Sequence, residues 1–400
     1  MKVTLNDIRS ARETISSVVR KTPLEHSVAA SQLTGSQIYL KCENFQLTGS
    51  FKMRGAFNKI SSLSEAEKKM GVIAASAGNH AQGVALSASK LKVKSTVVMP
   101  KGASIVKQMA TRNYGAEVVL HGDIYDEAYL YARELEKSSR AVFVHPYEDA
   151  KVIAGQGTVA LEVHEDLADL DSIVVSIGGG GLISGMALAL KELNPKIKVY
   201  GVVAENASAM HAKFHKKPAP DNLSYISIAD GIAVKKPSQV MYDHFISKYV
   251  DDIVAISEDQ IAESVAFLLE RSKMVVEGSG AITLAAALSG KLDLGKKSVL
   301  ALCGGNIDLN LIGKILDRGL TQSGRISRLS VIVTDKPGTL SRLTKTLGDL
   351  GANILDVDHD RMDPILLIHE TKITFVLETK NSDHATEIRT ALAGPGVRVL

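Results

Sequence analysis

The chain has 400 residues, 45% of them hydrophobic and 23% charged, with a formal net charge of +3. That is the composition of a soluble globular protein of two or three domains with a sizeable core. The small charge, with no basic cluster interleaved with aromatics, gives no support to nucleic-acid binding, and no segment reaches the continuous apolar length of a membrane span. Cys42 and Cys303 are the only cysteines, far apart and in no CxxC spacing. This argues against a disulfide framework or zinc site and, with Met1 to Arg20 lacking the apolar core of a secretory peptide, leads us to expect a cytoplasmic protein.

The first informative stretch is ENFQLTGSFKMRGAF, from Glu43 to Phe57. Lys52 stands there directly after Gly49, Ser50 and Phe51. A lysine on the surface is the ordinary reading of such a position, while partial burial beside an aromatic would lower its pKa and make it an amine nucleophile. From Gly71 onward, short β-branched runs alternate with helical patterns: GVIAAS, STVVMP, AEVVL and AVFVHP are separated by NHAQGVALSASKLK, ASIVKQMATRNYG and YDEAYLYARELEKSS. The rhythm resumes with SIVVSIG, KVYGVVA, DIVAIS and SVLALCGG between further helices. Nearly all of residues 1–320 therefore reads as α/β, with parallel strands buried on both faces as in a doubly wound sheet. QSGRIS, residues 322–327, reads as a linker. Beyond it RLSVIVTD, ANILDVDHDR, ITFVLET and GVRVL are strands, and PGTLSRLTKTLGDLG and HATEIRTALA are helices, giving βαββαβ. Leu340, Leu343, Leu347 and Leu350 share one helix face, with Pro337 placed for a first turn and Gly351 for a helix end.

Three strand-to-helix junctions carry residues suited to chemistry. SIGGGGLISG, from Ser176 to Gly185, offers free backbone N–H groups at a helix N-terminus, an anion cradle. It lacks the Gly-Lys-Ser/Thr of a P-loop, whereas Glu205 after KVYGVVA leaves a dinucleotide reading open on spacing alone. SAGNHAQG, from Ser76 to Gly83, combines a hydroxyl, an amide and His80 with exposed N–H groups, a set that suits a carboxylate. SVLALCGGN closes a third strand with Cys303, Gly304, Gly305 and Asn306. The HE pairs at 164 and 369 lack the second histidine of HExxH, and His211 with His215 brings no carboxylate in metal spacing.

In this order, GSFKMRGA, SAGNHAQG, GGGG and CGGN resemble the fold-type II pyridoxal-phosphate enzymes, most nearly the threonine dehydratase (threonine ammonia-lyase) family, over essentially the whole chain. The resemblance implies a tryptophan synthase β-like catalytic unit over residues 1–321, with a small subdomain of about residues 50–150 inserted in a large one. A linker at 322–326 and a single ACT (ferredoxin-like) domain at 327–400 would follow. Lys52 would hold pyridoxal 5'-phosphate and, once released by substrate, take the α-proton. Phe51 would lie against the ring, Gly178, Gly179, Gly180, Gly181 and Leu182 would bind the phosphate, Asn79 the ring hydroxyl, and Cys303 the pyridine nitrogen. Ser76, Ala77, Gly78, Asn79 and His80 would grip the substrate carboxylate.

The implied activity is deamination of L-threonine to 2-oxobutanoate and ammonia, with side activity on L-serine. An amino-acid effector such as isoleucine or valine would bind at Gly338 and Asn353, in a homodimer or homotetramer. Two other readings are a serine racemase or cysteine-synthase-like β-replacing enzyme, and an ACT-based amino-acid sensor with vestigial catalysis. Intact Lys52 weighs against the sensor. Ala77, where similar racemases carry a serine, weighs against inversion. His211 stands where racemases with a divalent site carry an acid, so a cation near Glu205 stays open.

Overall fold

The computed structural model describes residues 1–218, 220–221 and 223–400. These form two compact units, Met1–Ile307 and Asp308–Leu400. In the first, the strands in chain order are Leu24–His26 (β1), Gln37–Lys41 (β2), Val72–Ala75 (β3), Ser95–Met99 (β4), Glu117–Leu120 (β5), Val142–Phe143 (β6), Ser172–Ser176 (β7), Lys198–Ala204 (β8), Asp252–Ile256 (β9) and Lys297–Ala301 (β10). They make two sheets, ordered β1-β2-β10-β7-β8-β9 and β5-β4-β3-β6. Every neighbouring pair is parallel except β1 on β2. All five residues of β7 are buried, as helices on both faces of a parallel sheet require.

The sequence pattern does not disclose β2, which lies between β1 and β10. Its last residue is a lysine, ordinarily a surface residue, yet Lys41 is fully buried and its Nζ reaches Glu162 Oε2 at 2.6 Å. Glu162 lies on the helix Ala150–Asp166, and its other oxygen takes Arg54 of the helix Lys52–Ser61 at 2.6 Å. Buried charges persist only when paired and hydrogen-bonded, so this cluster ties the helix that begins with Lys52 to the large sheet.

Two motifs distant in sequence meet where β10 ends. The Phe51 N–H donates to the Cys303 carbonyl at 3.1 Å and the Gly305 N–H to the Gly49 carbonyl at 2.8 Å, so residues 49–51 lie as a short rung beside residues 303–305. Lys52 thus enters its helix directly from backbone pinned to the end of the large sheet.

The second unit holds Ile326–Thr334 (β11), Asn353–Asp360 (β12), Glu370–Glu378 (β13) and Val397–Val399 (β14), with helices Thr339–Asp349 and Ser382–Leu392. The antiparallel order β12-β13-β11-β14 is the βαββαβ arrangement read from the sequence. Leu343 and Leu347 are buried in its core, and Leu340 and Leu350 pack against them. Gly351, at φ +76°, follows the helix end. Pro337 does not lie in the first turn: the helix begins at Thr339 with Gly338 as its cap. The helix Leu309–Gln322 belongs to this unit rather than to the first, and of the expected linker 322–326 only residues 323–325 lie outside regular elements. No helix among the described residues is long and apolar enough to cross a membrane.

Candidate active site

A cavity of about 660 Å3 in the first unit is lined by Phe51, Lys52, Asn79, Gly179, Glu277 and Cys303, among others. Lys52 is the first residue of its helix. Its Nζ donates to the Pro146 carbonyl at 3.3 Å and lies 5.2 Å from the centre of the Phe51 ring. Burial pulls the Lys52 ammonium down to about 8, against the smaller opposing influence of Cys303 and Glu277. A fraction of this lysine is therefore a free amine near neutral pH, as a nucleophile or proton acceptor must be.

The loop after β7 brings Gly178, Gly179, Gly180, Gly181 and Leu182 to the same cavity. It leads into the helix Gly181–Leu193, whose N-terminus has no side-chain cap. Gly180 sits at φ +95°, a left-handed conformation that glycine adopts without strain. A Cβ on Gly179 would overlap the Tyr147 ring. The loop is therefore closed to side chains on one side and presents bare amides and the positive end of a helix dipole to the cavity, a setting for an anion.

Ser76, Ala77, Gly78, Asn79 and His80 line the cavity from the loop after β3. The Ser76 hydroxyl accepts the Gly78 N–H at 3.2 Å, and Gly78 caps the helix Asn79–Lys90 without a side chain. The His80 ring is engaged within the fold. It is buried, its Nε2–H donates to the Val144 carbonyl at 2.8 Å, and burial brings its pKa down to about 3, so the ring is neutral. Within this loop the His80 side chain braces the fold.

Cys303 is buried between the Ser279 carbonyl, which accepts its thiol at 3.2 Å, and the Ser176 hydroxyl at 3.5 Å. Burial pushes the thiol up to about 12, so it stays protonated. Three lining residues escape the sequence motifs. Glu277 is buried and accepts Asn79 Nδ2 at 2.7 Å; burial, then Asp230, raises its carboxyl to about 7. Ser279 carries a buried hydroxyl without a partner. Tyr147 backs the glycine loop. A capping acid before a helix is the one signal that could have marked Glu277, which precedes Gly278–Leu288.

Residues 15–304 match the family model described as pyridoxal-phosphate dependent enzyme, and residues 327–394 match the ACT domain. The chain belongs to the pyridoxal-phosphate-dependent enzymes. It is similar, at 48% identity over 99% of each chain, to an L-threonine ammonia-lyase of Thermotoga maritima. Among solved structures it resembles maize serine racemase (TM-score 0.74, 31% identity, 80% of this chain and 99% of that one). It also resembles a T.th. threonine deaminase (TM-score 0.72, 36% identity, 76% of this chain and 99% of that one).

The cavity of this pyridoxal-phosphate-dependent enzyme fits its cofactor on the donor set alone. An amine of lowered pKa faces it, bare amides and a helix N-terminus suit a phosphate, and a protonated thiol beside an unpartnered hydroxyl suits a neutral ring nitrogen. Glu205 lies 3.9 Å from Lys291, and among the described residues no group of three His, Cys, Asp or Glu stands together as a metal site would require.

In the ACT unit a second cavity of about 460 Å3 is lined by Asp335, Gly338, His359 and Arg361, among others. Gly338 is there as the cap of its helix, but Asn353 is not. Asn353 opens β12 and its Nδ2 donates to Glu378 at 3.1 Å, whereas the cavity lies at the end of β12 that carries His359. An eight-residue strand spans about 26 Å, so Asn353 stands well away from His359 at the far end of β12.

Proposed function

We propose that this enzyme converts L-threonine to 2-oxobutanoate and ammonia, with L-serine as a second substrate. The observation that carries the reading is Lys52, partly deprotonated near neutral pH and facing the same cavity as the uncapped glycine loop. The cofactor, when bound, supplies the electron sink that makes a substrate α-proton removable. Gly178, Gly179, Gly180, Gly181 and Leu182 would hold its phosphate, Phe51 would pack against its ring, Asn79 would meet the ring oxygen, and Cys303 would stay a thiol at the ring nitrogen. A thiol there would not keep the ring nitrogen protonated as a carboxylate would, so the electron sink supplied would be a weaker one.

The backbone amides from Ser76 to His80 orient the substrate carboxylate at the start of their helix. Lys52 Nζ accepts the α-proton and the β-hydroxyl departs with a proton as water; the 2-aminobut-2-enoate that is left tautomerises and is hydrolysed to 2-oxobutanoate and ammonia.

Catalysis belongs to the unit Met1–Ile307, and the ACT domain from residue 327 regulates it by binding an amino acid, isoleucine or valine, in the cavity at Gly338. The setting is isoleucine biosynthesis in the cytoplasm, with the enzyme a homo-oligomer. The test is 2-oxoacid formation from a panel of amino acids with and without isoleucine or valine. The reading requires threonine to be preferred and one effector to change its turnover; loss of that response in Arg361→Ala, with basal turnover kept, would place the effector. A preference for a β-replacement reaction with added thiol or sulfide would support the cysteine-synthase-like reading instead.

A further inference from the structure

An asparagine amide can present either its oxygen or its NH2 to a ligand, and the two ends have nearly the same shape. In this structure the choice at Asn79 follows from a backbone carbonyl. Asn306 Nδ2 lies 2.7 Å from the Thr48 carbonyl and 2.8 Å from Asn79 Oδ1. A carbonyl only accepts, so Asn306 must turn its NH2 towards Thr48, and its second hydrogen then meets Asn79. Asn79 must in turn face Asn306 with its oxygen and point its NH2 at Glu277 Oε1, 2.7 Å away. One Nδ2 hydrogen of Asn79 remains.

The surroundings are cut to this relay. A Cβ on Gly304 would come within 2.6 Å of Glu277 Oε1 and 3.1 Å of Asn79 Nδ2, and one on Gly49 within 2.5 Å of Asn306 Oδ1. Both glycines lie in the short rung that joins the Lys52 segment to the end of β10. Building the rung from glycine makes room for the polar chain between its two strands and the start of the helix Asn79–Lys90.

We propose that Asn306 and Glu277 are positioning residues that lock the Asn79 amide as a hydrogen donor towards the cavity, so that the site selects a ligand oxygen in its ionised, accepting form beside Lys52. The inference rests on the reading that pyridoxal phosphate binds here with its ring oxygen at Asn79. The Asn79 hydrogen left over by the relay has the ionised ring oxygen as its acceptor. A protonated ring hydroxyl would be the poorer acceptor.

The test is a double-mutant cycle read on the dissociation constant of added pyridoxal phosphate and on the absorption maximum of the bound cofactor, with thermal melting as the control for folding. Asn79→Ala is expected to weaken cofactor binding about tenfold, the scale of one charge-assisted hydrogen bond, and to move the absorption maximum. Asn306→Ala is expected to weaken binding about fivefold and move the maximum the same way in the wild-type background. In the Asn79→Ala background it is expected to change binding less than about twofold. If the losses multiply, Asn306 does not act through Asn79 and the proposal is wrong.

Should Asn306→Ala fail to fold, Glu277 gives the same answer. Glu277→Gln keeps an acceptor and is expected to retain the wild-type absorption maximum, whereas Glu277→Leu is expected to shift it as Asn79→Ala does. A maximum unmoved in Glu277→Leu overturns the relay. Failure of the wild-type protein to take up pyridoxal phosphate at all overturns the site reading itself, a result distinct from normal uptake with independent losses.

Discussion

Arg54 and Glu43 meet through two parallel hydrogen bonds, Nε to Oε2 and Nη2 to Oε1, both 2.8 Å long, with neither side chain reaching solvent. Glu162 accepts from both Nη atoms of Arg54 and also from Lys41, so two cations and two carboxylates neutralise one another in the cluster. Burial opposes the charge on Arg54, but Glu43 and Glu162 outweigh it and hold the guanidinium protonated. Arg54→Met would leave two buried carboxylates with Lys41 alone. The expected loss is about 3–5 kcal/mol of stability, measured by urea denaturation. A loss below about 1 kcal/mol would show that the network is not what fixes this helix.

The glycine loop makes a steric prediction. Because a Cβ on Gly179 would overlap the Tyr147 ring, Gly179→Ala must displace either the ring or the loop. Pyridoxal-phosphate affinity is expected to fall by at least about tenfold, as for the loss of one or two charge-assisted hydrogen bonds. Adding Tyr147→Ala should recover part of it. Titration of the cofactor by absorbance decides, and an unchanged affinity in Gly179→Ala would mean that the loop does not hold the phosphate.

Much of this was open to a reader of the sequence, for identifiable reasons. Continuous runs such as SIVVS are the mark of a strand covered on both faces, and β7 is such a strand. Lys52 and the glycine loop lie in short local motifs. What stayed hidden depends on partners far along the chain. β2 ends in Lys41, whose burial makes sense only once Glu162 is beside it. Glu277 sits in MVVEGSG, where its place before a helix is the one local mark, and becomes part of the site through Asn79. Asn353 opens β12 beside Glu378, whereas Gly338 lines a cavity near His359 towards the other end of that strand, a relation that no local pattern carries.

Lys52 and Glu277 also give the stability of the cofactor-free protein a defined pH dependence. Lys52 falls from 10.5 to about 8 on folding, so between those values the unfolded chain binds more protons and stability rises with pH; below about 8 the cost is present in full. Glu277 rises from 4.5 to about 7, so the folded chain binds more protons there and stability falls with pH across that window. Cys303 and Glu277 face Lys52, while Asp230, Asn79 and Lys107 act on Glu277. At pH 7, cofactor-free Lys52→Met should exceed the cofactor-free wild type in stability by roughly 1–3 kcal/mol, and the gap should close towards pH 10.5. Urea melts across this range test the sign, and a gap constant with pH would contradict it.

Ala77 bears on the choice of reaction. It lines the cavity, and its methyl group can neither give nor take a proton. Inversion of L-serine needs a second group to return a proton from the face opposite Lys52, whereas elimination needs only Lys52 and a departing hydroxyl. Chiral analysis after incubation with L-serine should find pyruvate and almost no D-serine, and Ala77→Ser should raise the D-serine share. Comparable amounts of the two products from the wild type would refute the argument.

The central claim is that Lys52 is the amine through which this cavity works on threonine. Its most direct test is the rate of 2-oxobutanoate formation from L-threonine by wild type and Lys52→Ala, each with added pyridoxal phosphate and each checked for folding. Losing the group proposed to anchor the cofactor and take the α-proton should lower turnover by at least about a thousandfold, a loss that a general base alone can already account for. Turnover by the folded Lys52→Ala protein within about tenfold of wild type, a loss of only about 1.4 kcal/mol in the barrier, would contradict the claim.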